Sequence, residues 1–241
     1  MDPKEWQTRV DLAACYRLAA RARWTDLIYT HISARLDDGA FLMNPYGLGF
    51  HEITASSLVK VAHDGTVLPA SNHALNRAGF VIHGGLLAAR PDVVCVLHTH
   101  TRDGCAVAAM ACGLLPLSQF AMFYDGRIGY HDYEGAATDE AERDRLAADL
   151  GPTHRVLVLR NHGLITVGRT IAEAYVAMDQ IEKACAVQVA AMASGTPLSQ
   201  PSAAARTHTA AYANLDGPPK GAREWAMLLR TLDREEPDYR T

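Results

Sequence analysis

The chain has 241 residues, of which 49% are hydrophobic and 21% are charged, and its formal net charge is -4. The length suits one large domain or two small ones, and the composition is ordinary for a globular protein with a sizeable core. The acidic balance speaks against nucleic acid as a partner, and the lack of a stretch of about 18 apolar residues speaks against a membrane-spanning helix.

Along the first half of the chain, the sequence predicts a helix, a meander of short strands and a second helix. Apolar residues at helical spacing indicate a first helix over 4–23, with Pro3 in its first turn. Asp-Gly pairs separate short apolar segments, which is typical of hairpins between antiparallel strands. These strands are predicted at 31–36, 41–45 and 58–61. The second helix is predicted over 77–89, before an Arg-Pro-Asp sequence.

The second half of the chain predicts strands and helices followed by a tail. Buried strands are predicted for VVCVL (93–97) and on either side of a sharp turn in RVLVLRNHGLITVG (155–168). Helices are predicted at 103–112, 139–150 and 170–194. The remainder is rich in Ser, Pro, Thr and Ala, which indicates an irregular segment with one short helix near 224–232. We therefore expect an α/β domain over 1–195 and a tail over 196–241, packed on this domain or on a neighbouring subunit.

The cysteines and the first residues bear on the cellular compartment. The five cysteines are an odd number and form no Cys-x-x-Cys pair, which indicates free thiols in a reducing environment. The opening MDPKEWQTRVDL is polar and lacks the apolar core of a signal peptide. We therefore expect a cytoplasmic protein with no membrane partner.

Two histidines end the predicted buried strand in VCVLHTHTRDG. Side chains at i and i+2 of a strand share a face, so His98 and His100 present two imidazoles side by side. Two neutral imidazoles can bind one divalent metal, and catalytic metal sites typically take three protein ligands. His162, in an Asn-His-Gly turn that ends another apolar strand, is the candidate third ligand. The spacing alone is equally consistent with hydrogen-bonded structural histidines.

Several segments together resemble the class II aldolase/adducin family. They are GFVIHGGLLAARPDVVCVLHTHT, LRNHGLITVG, THISARL and NPYGLGFHEITASSLVKV, and the similarity spans about 10–193. The resemblance implies a three-layer α/β/α fold with a central, largely antiparallel sheet. It also implies a divalent metal, zinc before manganese, cobalt or iron, held by His98, His100 and His162. Family enzymes are commonly homotetramers with active sites between subunits, so we expect a homo-oligomer.

The sequence departs from the sugar-phosphate aldolases of the family at positions that move protons. Their catalytic glutamate corresponds to Gly79, which cannot exchange a proton. Their catalytic tyrosine falls on Phe120, across a one-residue offset that leaves Tyr124 as a substitute. His83, one helical turn after Gly79, is a candidate for relaying a proton or orienting a ligand. His83 and Tyr124 are therefore the candidate catalytic residues.

The segments that grip phosphate in the family have also changed. Where the family has Gly-Asn-(Val/Ile)-Ser, this chain has Thr-His-Ile-Ser, which introduces His31. Where the family has Thr-Pro-(Thr/Ser)-Gly, this chain has Asn-Pro-Tyr-Gly, which introduces Tyr46. Small residues let a phosphate reach backbone N–H groups, so these larger side chains favour a flatter, carboxylated substrate, although loop packing would also account for them. The candidate substrate-binding residues are His31, Tyr46, Ser71 and Arg77.

Several functions fit this set of residues. A metal that polarises two substrate oxygens supports carbon–carbon bond cleavage in a small oxo- or hydroxy-acid. Loss of the glutamate favours decarboxylation over aldol cleavage, because decarboxylation needs no base to take a hydroxyl proton. The alternatives are an aldolase acting on a non-phosphorylated or sugar substrate, a non-heme iron oxygenase and a non-catalytic scaffold like adducin.

Overall fold

The computed structural model describes residues 2–68, 74–135 and 139–241. The strands are β1 (His31–Arg35), β2 (Phe41–Met43), β3 (Val59–Val61), β4 (Val67–Leu68), β5 (Cys95–Thr99), β6 (Ile128–His131), β7 (Val156–Leu159) and β8 (Gly163–Gly168). Within these described ranges, eight strands form one sheet in the order β4-β3-β2-β1-β5-β8-β7-β6. β6 and β7 are parallel, and the other neighbouring strands are antiparallel.

Helices cover both faces of this sheet. They are α1 (Pro3–Arg21), α2 (Arg77–Ala89), α3 (Arg102–Ala108), α4 (Gln119–Met122), α5 (Glu142–Leu150), α6 (Ile171–Ala193), α7 (Ala203–Ala213) and α8 (Ala222–Glu235), with 3₁₀ helices at Phe50–Glu52 and Pro237–Arg240. α2 and α5 pack on one face, and α1, α3 and α6 pack on the other. This three-layer α/β/α arrangement confirms the predicted fold class.

Alternation along the strands separates two hydrophobic cores, because successive side chains point to opposite faces. In β5, Val96 packs with the helices α2 and α5, whereas Cys95 and Leu97 pack with α1 and α6. The same alternation places His98 on the α2 face and Thr99 on the α6 face, where its hydroxyl donates to Glu182. The pleat of β5 therefore decides which helices surround each residue of the His-Thr-His sequence.

Side-chain caps explain where the site-bearing helices begin. The Asn76 carboxamide accepts from the backbone N–H of Gly79 and starts α2. The Thr101 hydroxyl accepts from the N–H of Gly104 and starts α3, directly after the second histidine of the motif. These caps satisfy N–H groups that the first turn of a helix leaves without partners.

The C-terminal segment differs from its prediction. The expectation of an irregular tail is wrong for α7, where the Ser202 hydroxyl accepts from the N–H of Ala205 and an alanine-rich run follows. A good N-cap and the high helix propensity of alanine outweigh the Pro and Ser content around them. The predicted helix near 224–232 extends over the whole of α8. The parallel strand β6 was also missed.

The last helix is anchored in the core. Trp225 and Leu232 of α8, together with Tyr239 beyond it, are buried in the core that α1 and α6 share. Arg17 of α1 pairs with Asp238 at 2.7 Å, which adds a polar contact at the rim. Among the described residues, no helix combines the length and the apolar character needed to cross a bilayer.

Candidate metal centre

Three strand ends meet at one edge of the sheet. The start of β1 pairs with the end of β5, so that His31 lies opposite His98. The start of β8 also pairs with the end of β5, so that Leu164 lies opposite Thr99. Because antiparallel neighbours place the end of one strand beside the start of the next, the edge collects side chains distant in sequence.

His98, His100 and His162 come together at this edge. Their candidate ligand nitrogens all lie within 4.8 Å of one another. The Nε2 atoms of His98 and His100 are 2.8 Å apart, and the ring centroid of His162 lies 4.9 Å from that of His98 and 4.8 Å from that of His100. The structure thus brings together the three histidines that the motifs singled out.

Hydrogen bonds orient two of these rings for metal binding. His98 Nδ1 lies 2.9 Å from the carbonyl oxygen of Leu164, and His100 Nδ1 lies 2.9 Å from a carboxylate oxygen of Asp26. Both partners are acceptors, so each Nδ1 carries a proton, and in this tautomer the lone pair of a neutral ring lies on Nε2. Two lone pairs that face each other at 2.8 Å repel unless a cation lies between them. This donor set fits a divalent metal.

Backbone conformation explains the Asn-His-Gly turn that carries the third histidine. Asn161 has a φ of 57°, in the left-handed region that asparagine tolerates better than most residues. A Cβ atom on Gly163 would lie 2.3 Å from the carbonyl oxygen of Thr99 and 3.0 Å from a ring carbon of His100. Glycine is therefore required for β8 to approach β5 at the metal-binding edge.

A glutamate on α6 holds the chain on both sides of His100. The carboxylate of Glu182 accepts from the Thr99 hydroxyl at 2.9 Å and from the Thr101 hydroxyl at 2.6 Å. Burial raises the pKa of this carboxyl, while the two hydroxyls act to lower it. The two hydrogen bonds fix the segment that carries the middle ligand.

A second group of buried side chains lies beside the three histidines. His31 and His98 have ring centroids 5.0 Å apart. His31 Nδ1 is 2.8 Å from His83 Nε2, and His83 Nδ1 is 2.6 Å from the Ser33 hydroxyl. The exposed fraction is 2% for His31 and 0% for His83. The hydrogen-bonded series Ser33–His83–His31 thus connects the interior of the sheet with the edge where the three histidines lie.

Burial keeps these imidazoles neutral. It lowers the pKa values of His31, His83 and His98 well below the ordinary value, and neighbouring histidines lower them further. Burial, followed by the nearby His100 and His131, lowers the pKa of His162 to about 4. The neutral ring is the form that binds a metal, so the site needs no deprotonation of these groups near pH 7.

Gly79 and His31 compete for one space. A Cβ atom on Gly79 would lie 2.8 Å from His31 Cδ2 and 3.2 Å from His31 Nε2. The position that the family resemblance aligns with a glutamate therefore has no room for a side chain. The imidazole of His31 fills that space instead.

The candidate substrate-binding residues lie in three different environments. Tyr46 follows β2 at the same sheet edge as His31, is 39% exposed, and donates its N–H to Ala74. Arg77 begins α2 and pairs with Glu140 at 2.7 Å, and both side chains are more than half exposed. Ser71 lies outside the described residues.

Tyr124 is not brought to the histidines. It packs in the core between the sheet and α6, on the face opposite to His98. Its hydroxyl donates to Gln180 at 2.8 Å, and burial raises its pKa above the ordinary value. Within this chain, the geometry gives Tyr124 a structural hydrogen bond rather than access to the metal-binding edge.

Sequence reasoning missed two residues that support the ligands. Asp26 and Glu182 lie far from the histidine motifs in sequence, and neither belongs to a recognisable pattern. The one available signal was general, since histidine ligands usually donate their second N–H to a carboxylate or carbonyl. That rule predicts that a partner exists but does not identify it.

The fold and the histidine cluster together define a class of protein, in which a central, largely antiparallel sheet carries at one edge three histidines that could hold a metal. The chain belongs to the class II aldolase and adducin family. The family described as Class II Aldolase and Adducin N-terminal domain matches residues 10–189. The resemblance inferred from the motifs is confirmed.

Individual relatives cover nearly the whole chain. A crystal structure of an aldolase II superfamily protein from Pseudomonas syringae is 48% identical, with a TM-score of 0.94, over 100% of this chain and 98% of that chain. The L-fuculose 1-phosphate aldolase from Glaciozyma antarctica PI12 is 25% identical, with a TM-score of 0.87, over 99% of this chain and 93% of that chain. Alpha-adducin from Rattus norvegicus is 41% identical over 96% of this chain and 34% of the adducin. The similar proteins thus include both an aldolase and an adducin.

Proposed function

We propose that the protein is a metal-dependent lyase that cleaves a carbon–carbon bond of a small oxo- or hydroxy-acid, with decarboxylation favoured over aldol cleavage. One observation carries the preference. Three histidines suited to a metal are present, while position 79 has no carboxylate and its space is filled by His31. The site therefore keeps the means to stabilise negative charge but lacks the base that an aldolase of this family uses.

The chemistry divides between the metal and the protein. His98, His100 and His162 would hold a divalent ion, which would supply Lewis acidity toward a bound substrate. Zinc is the expected metal, with manganese, cobalt or iron as alternatives, because imidazole ligands do not choose among these ions. The protein must then supply a proton to the carbon that loses carbon dioxide.

His31 is the proposed proton donor. Among the described residues its Nε2 has no hydrogen-bond partner, and its ring lies beside that of His98. In the neutral state His31 Nδ1 donates to His83 Nε2 and His83 Nδ1 donates to the Ser33 hydroxyl, so the Nε2 lone pair of His31 takes a proton from water and passes it to the carbon that has lost carbon dioxide. His83 fixes the tautomer of His31 in this scheme and does not contact substrate.

Three further residues are proposed to bind and orient the substrate. Tyr46 supplies a flat, half-exposed surface, and Ser71 is proposed as a hydroxyl ligand. Arg77 binds a carboxylate of the substrate in place of the exposed Glu140 carboxylate. An exposed ion pair contributes little free energy, so this exchange is inexpensive.

Two alternatives have specific support. Similarity to an L-fuculose 1-phosphate aldolase favours aldol cleavage, of a non-phosphorylated or sugar substrate because of the changes at His31 and Tyr46. Similarity to alpha-adducin favours a non-catalytic scaffold. Ferrous iron in the same three-histidine site would instead support an oxygenase.

One experiment separates these functions. The purified protein, loaded with zinc, manganese, cobalt or iron, is incubated with a panel of hydroxylated aromatic acids and small oxo-acids. Carbon dioxide, aldehyde and oxygen are followed in parallel, with His162→Ala as the control. We expect metal-dependent carbon dioxide release that the variant lacks. Aldehyde release identifies an aldolase, oxygen uptake an oxygenase, and a protein that binds no metal a scaffold.

A further inference from the structure

An open cavity of about 400 Å³ lies at the end of the sheet remote from the histidines. It is lined by the first turns of α6, by the residue before β7, by the segment after α4 and by the segment that joins α7 to α8. Arg155 lies at this end, because its carbonyl accepts from the N–H of Val167. Val167 is four residues along β8 from Gly163, on the order of 13 Å from the metal-binding edge.

Arg155 brings a poorly compensated charge to this cavity. Its side chain is 8% exposed, and its contacts with the Asp92 carboxylate and the Leu215 carbonyl are long, at 3.4 and 3.3 Å. Asp92 is already held by two hydrogen bonds from Arg90, at 2.7 and 2.8 Å. Within the part of the chain that the structure describes, Arg155 Nε has no hydrogen-bond partner. A buried guanidinium in this state favours an additional acceptor.

Other donors line the same cavity. Gln180 uses its oxygen to accept from Tyr124, so its NH₂ group is left to donate. The ammonium of Lys220 and the guanidinium of Arg223 have no ion-pair partner among residues 2–68, 74–135 and 139–241.

The acidic residues of the cavity do not neutralise these donors equally. Glu173 is occupied by Arg169, with an ion pair of 2.6 Å, and by the backbone N–H of Lys220. Glu224 is exposed. Arg223 is exposed like Glu224, so these two charges count alike. Among the described residues, the cavity is lined by three positive side chains and two negative ones, and Glu173 is already paired, so the lining favours a ligand with negative charge.

The remaining walls are apolar. Phe123 and Val176 line the cavity, and Tyr212 of α7, which is 77% exposed, lies at its rim. An aromatic or aliphatic body fits against these side chains, and the cavity volume lies in the range of small-molecule sites.

We propose that this cavity binds a small organic carboxylate, with its carboxylate on Arg155 and Lys220 and its apolar body against Phe123 and Tyr212. The site is separate from the three histidines and does not depend on the proposed lyase activity. A ligand there supplies a closer acceptor for the terminal nitrogens of Arg155, whose contacts with Asp92 and Leu215 are long, and covers the exposed ring of Tyr212.

The test uses 4-fluorobenzoate followed by fluorine NMR. Carboxylates also bind metals, so the titration is made on the wild-type protein and on His162→Ala. Binding at the cavity is the event that both proteins share. Lys220→Ala removes one donor and leaves the backbone contact with Glu173 in place. Lys183→Ala is the matched control, because Lys183 lies on α6 but does not line the cavity.

We expect the wild-type protein and His162→Ala to share one binding event. Lys220→Ala should weaken this binding about tenfold, and Lys183→Ala should leave it unchanged. Gln180→Leu should weaken it as well, and the neutral 4-fluorobenzamide should bind at least about tenfold less tightly. Binding that disappears in His162→Ala would assign the carboxylate to the metal centre alone and overturn the proposal. So would binding that is insensitive to Lys220→Ala, or equal binding of the amide.

Discussion

The ring of His31 lies where a side chain at position 79 would project: a Cβ atom on Gly79 would come within 2.8 Å of His31 Cδ2. A carboxylate at position 79 and an imidazole at position 31 therefore exclude each other in this fold. The changes at positions 79 and 31, two of those that separate this sequence from the aldolase pattern, are therefore one structural event, in which an imidazole from β1 replaces a side chain from α2. This coupling leads to a stability prediction that needs no substrate.

Gly79→Ala should destabilise the protein by about 1–3 kcal/mol, because the added methyl group overpacks a buried ring. In the His31→Ala background, where that space is vacant, Gly79→Ala should no longer destabilise the protein by this amount. The matched control is Gly84→Ala in the same helix, whose Cβ would meet only ordinary contacts of 3.6 Å and beyond. Alanine favours a helix over glycine, so Gly84→Ala should be neutral or stabilising.

Urea unfolding of the four proteins of this cycle, and of the Gly84→Ala control, gives the coupling free energy directly. His31→Ala has its own cost as a cavity, and the cycle subtracts it. If Gly79→Ala changes stability by the same amount whether residue 31 is histidine or alanine, the two side chains do not compete for the same space.

Replacement of His162 should abolish stoichiometric metal binding. The remaining His98 and His100 offer only two ligands, fewer than catalytic sites of this kind take. We expect purified His162→Ala to contain less than about a tenth of the metal of the wild type, measured by elemental analysis. His208→Ala, on the exposed face of α7, is the matched control. Equal metal content in His162→Ala and the wild type would show that the metal binds elsewhere.

The local parts of the site could be predicted from the sequence. Two histidines spaced i and i+2 at the end of an apolar strand, and a third in an Asn-His-Gly turn, mark strand ends. The pairing of β5 with β8 also agrees with the Asn-His-Gly sequence, because its glycine, Gly163, permits the two strands to approach closely. Residue type and spacing carried this information.

The remaining parts depend on contacts between distant segments. Within this chain Tyr124 lies on the face of the sheet opposite to His98, because the placement of α4 is set by packing against α6. Asp26 reaches His100 from the loop before β1, and no spacing rule connects these residues. The overlap of His31 with position 79 likewise appears only once α2 lies across β1.

Loss of the Asp26 carboxylate should weaken metal binding without unfolding the protein. It accepts from His100 Nδ1 at 2.9 Å, which fixes the tautomer that leaves Nε2 free for the metal. Asp26→Ala should lower metal affinity by about 10–100-fold, measured by competition with a chelator. Asp132→Ala, which removes an aspartate side chain that is 92% exposed, serves as the control. Equal affinities of the two variants would mean that Asp26 does not orient the ligand.

Stability of the metal-depleted protein should fall as the pH falls below about 6.5, the ordinary pKa of histidine. His31, His83, His98 and His162 have lowered pKa values in the folded state, mainly through burial. The unfolded chain therefore binds more protons than the folded one, and acid favours unfolding. For His162 the window extends from about 6.5 down to about 4.

Urea unfolding of chelator-treated protein at a series of pH values measures how steeply the free energy of unfolding depends on pH. His162→Gln tests whether the buried histidines cause this dependence. The variant removes one of the groups that protonate only on unfolding, so its stability should depend less steeply on pH between about 6.5 and 4. Bound metal should add stability at neutral pH, because it binds the neutral rings of the folded state, and this gain should be lost as acid protonates the ligands, so the metal-loaded protein should depend more steeply on pH. A stability that is the same at pH 7.5 and pH 5 in the metal-depleted protein would contradict the burial of neutral imidazoles. It would imply that the histidine cluster opens to solvent when no metal is bound.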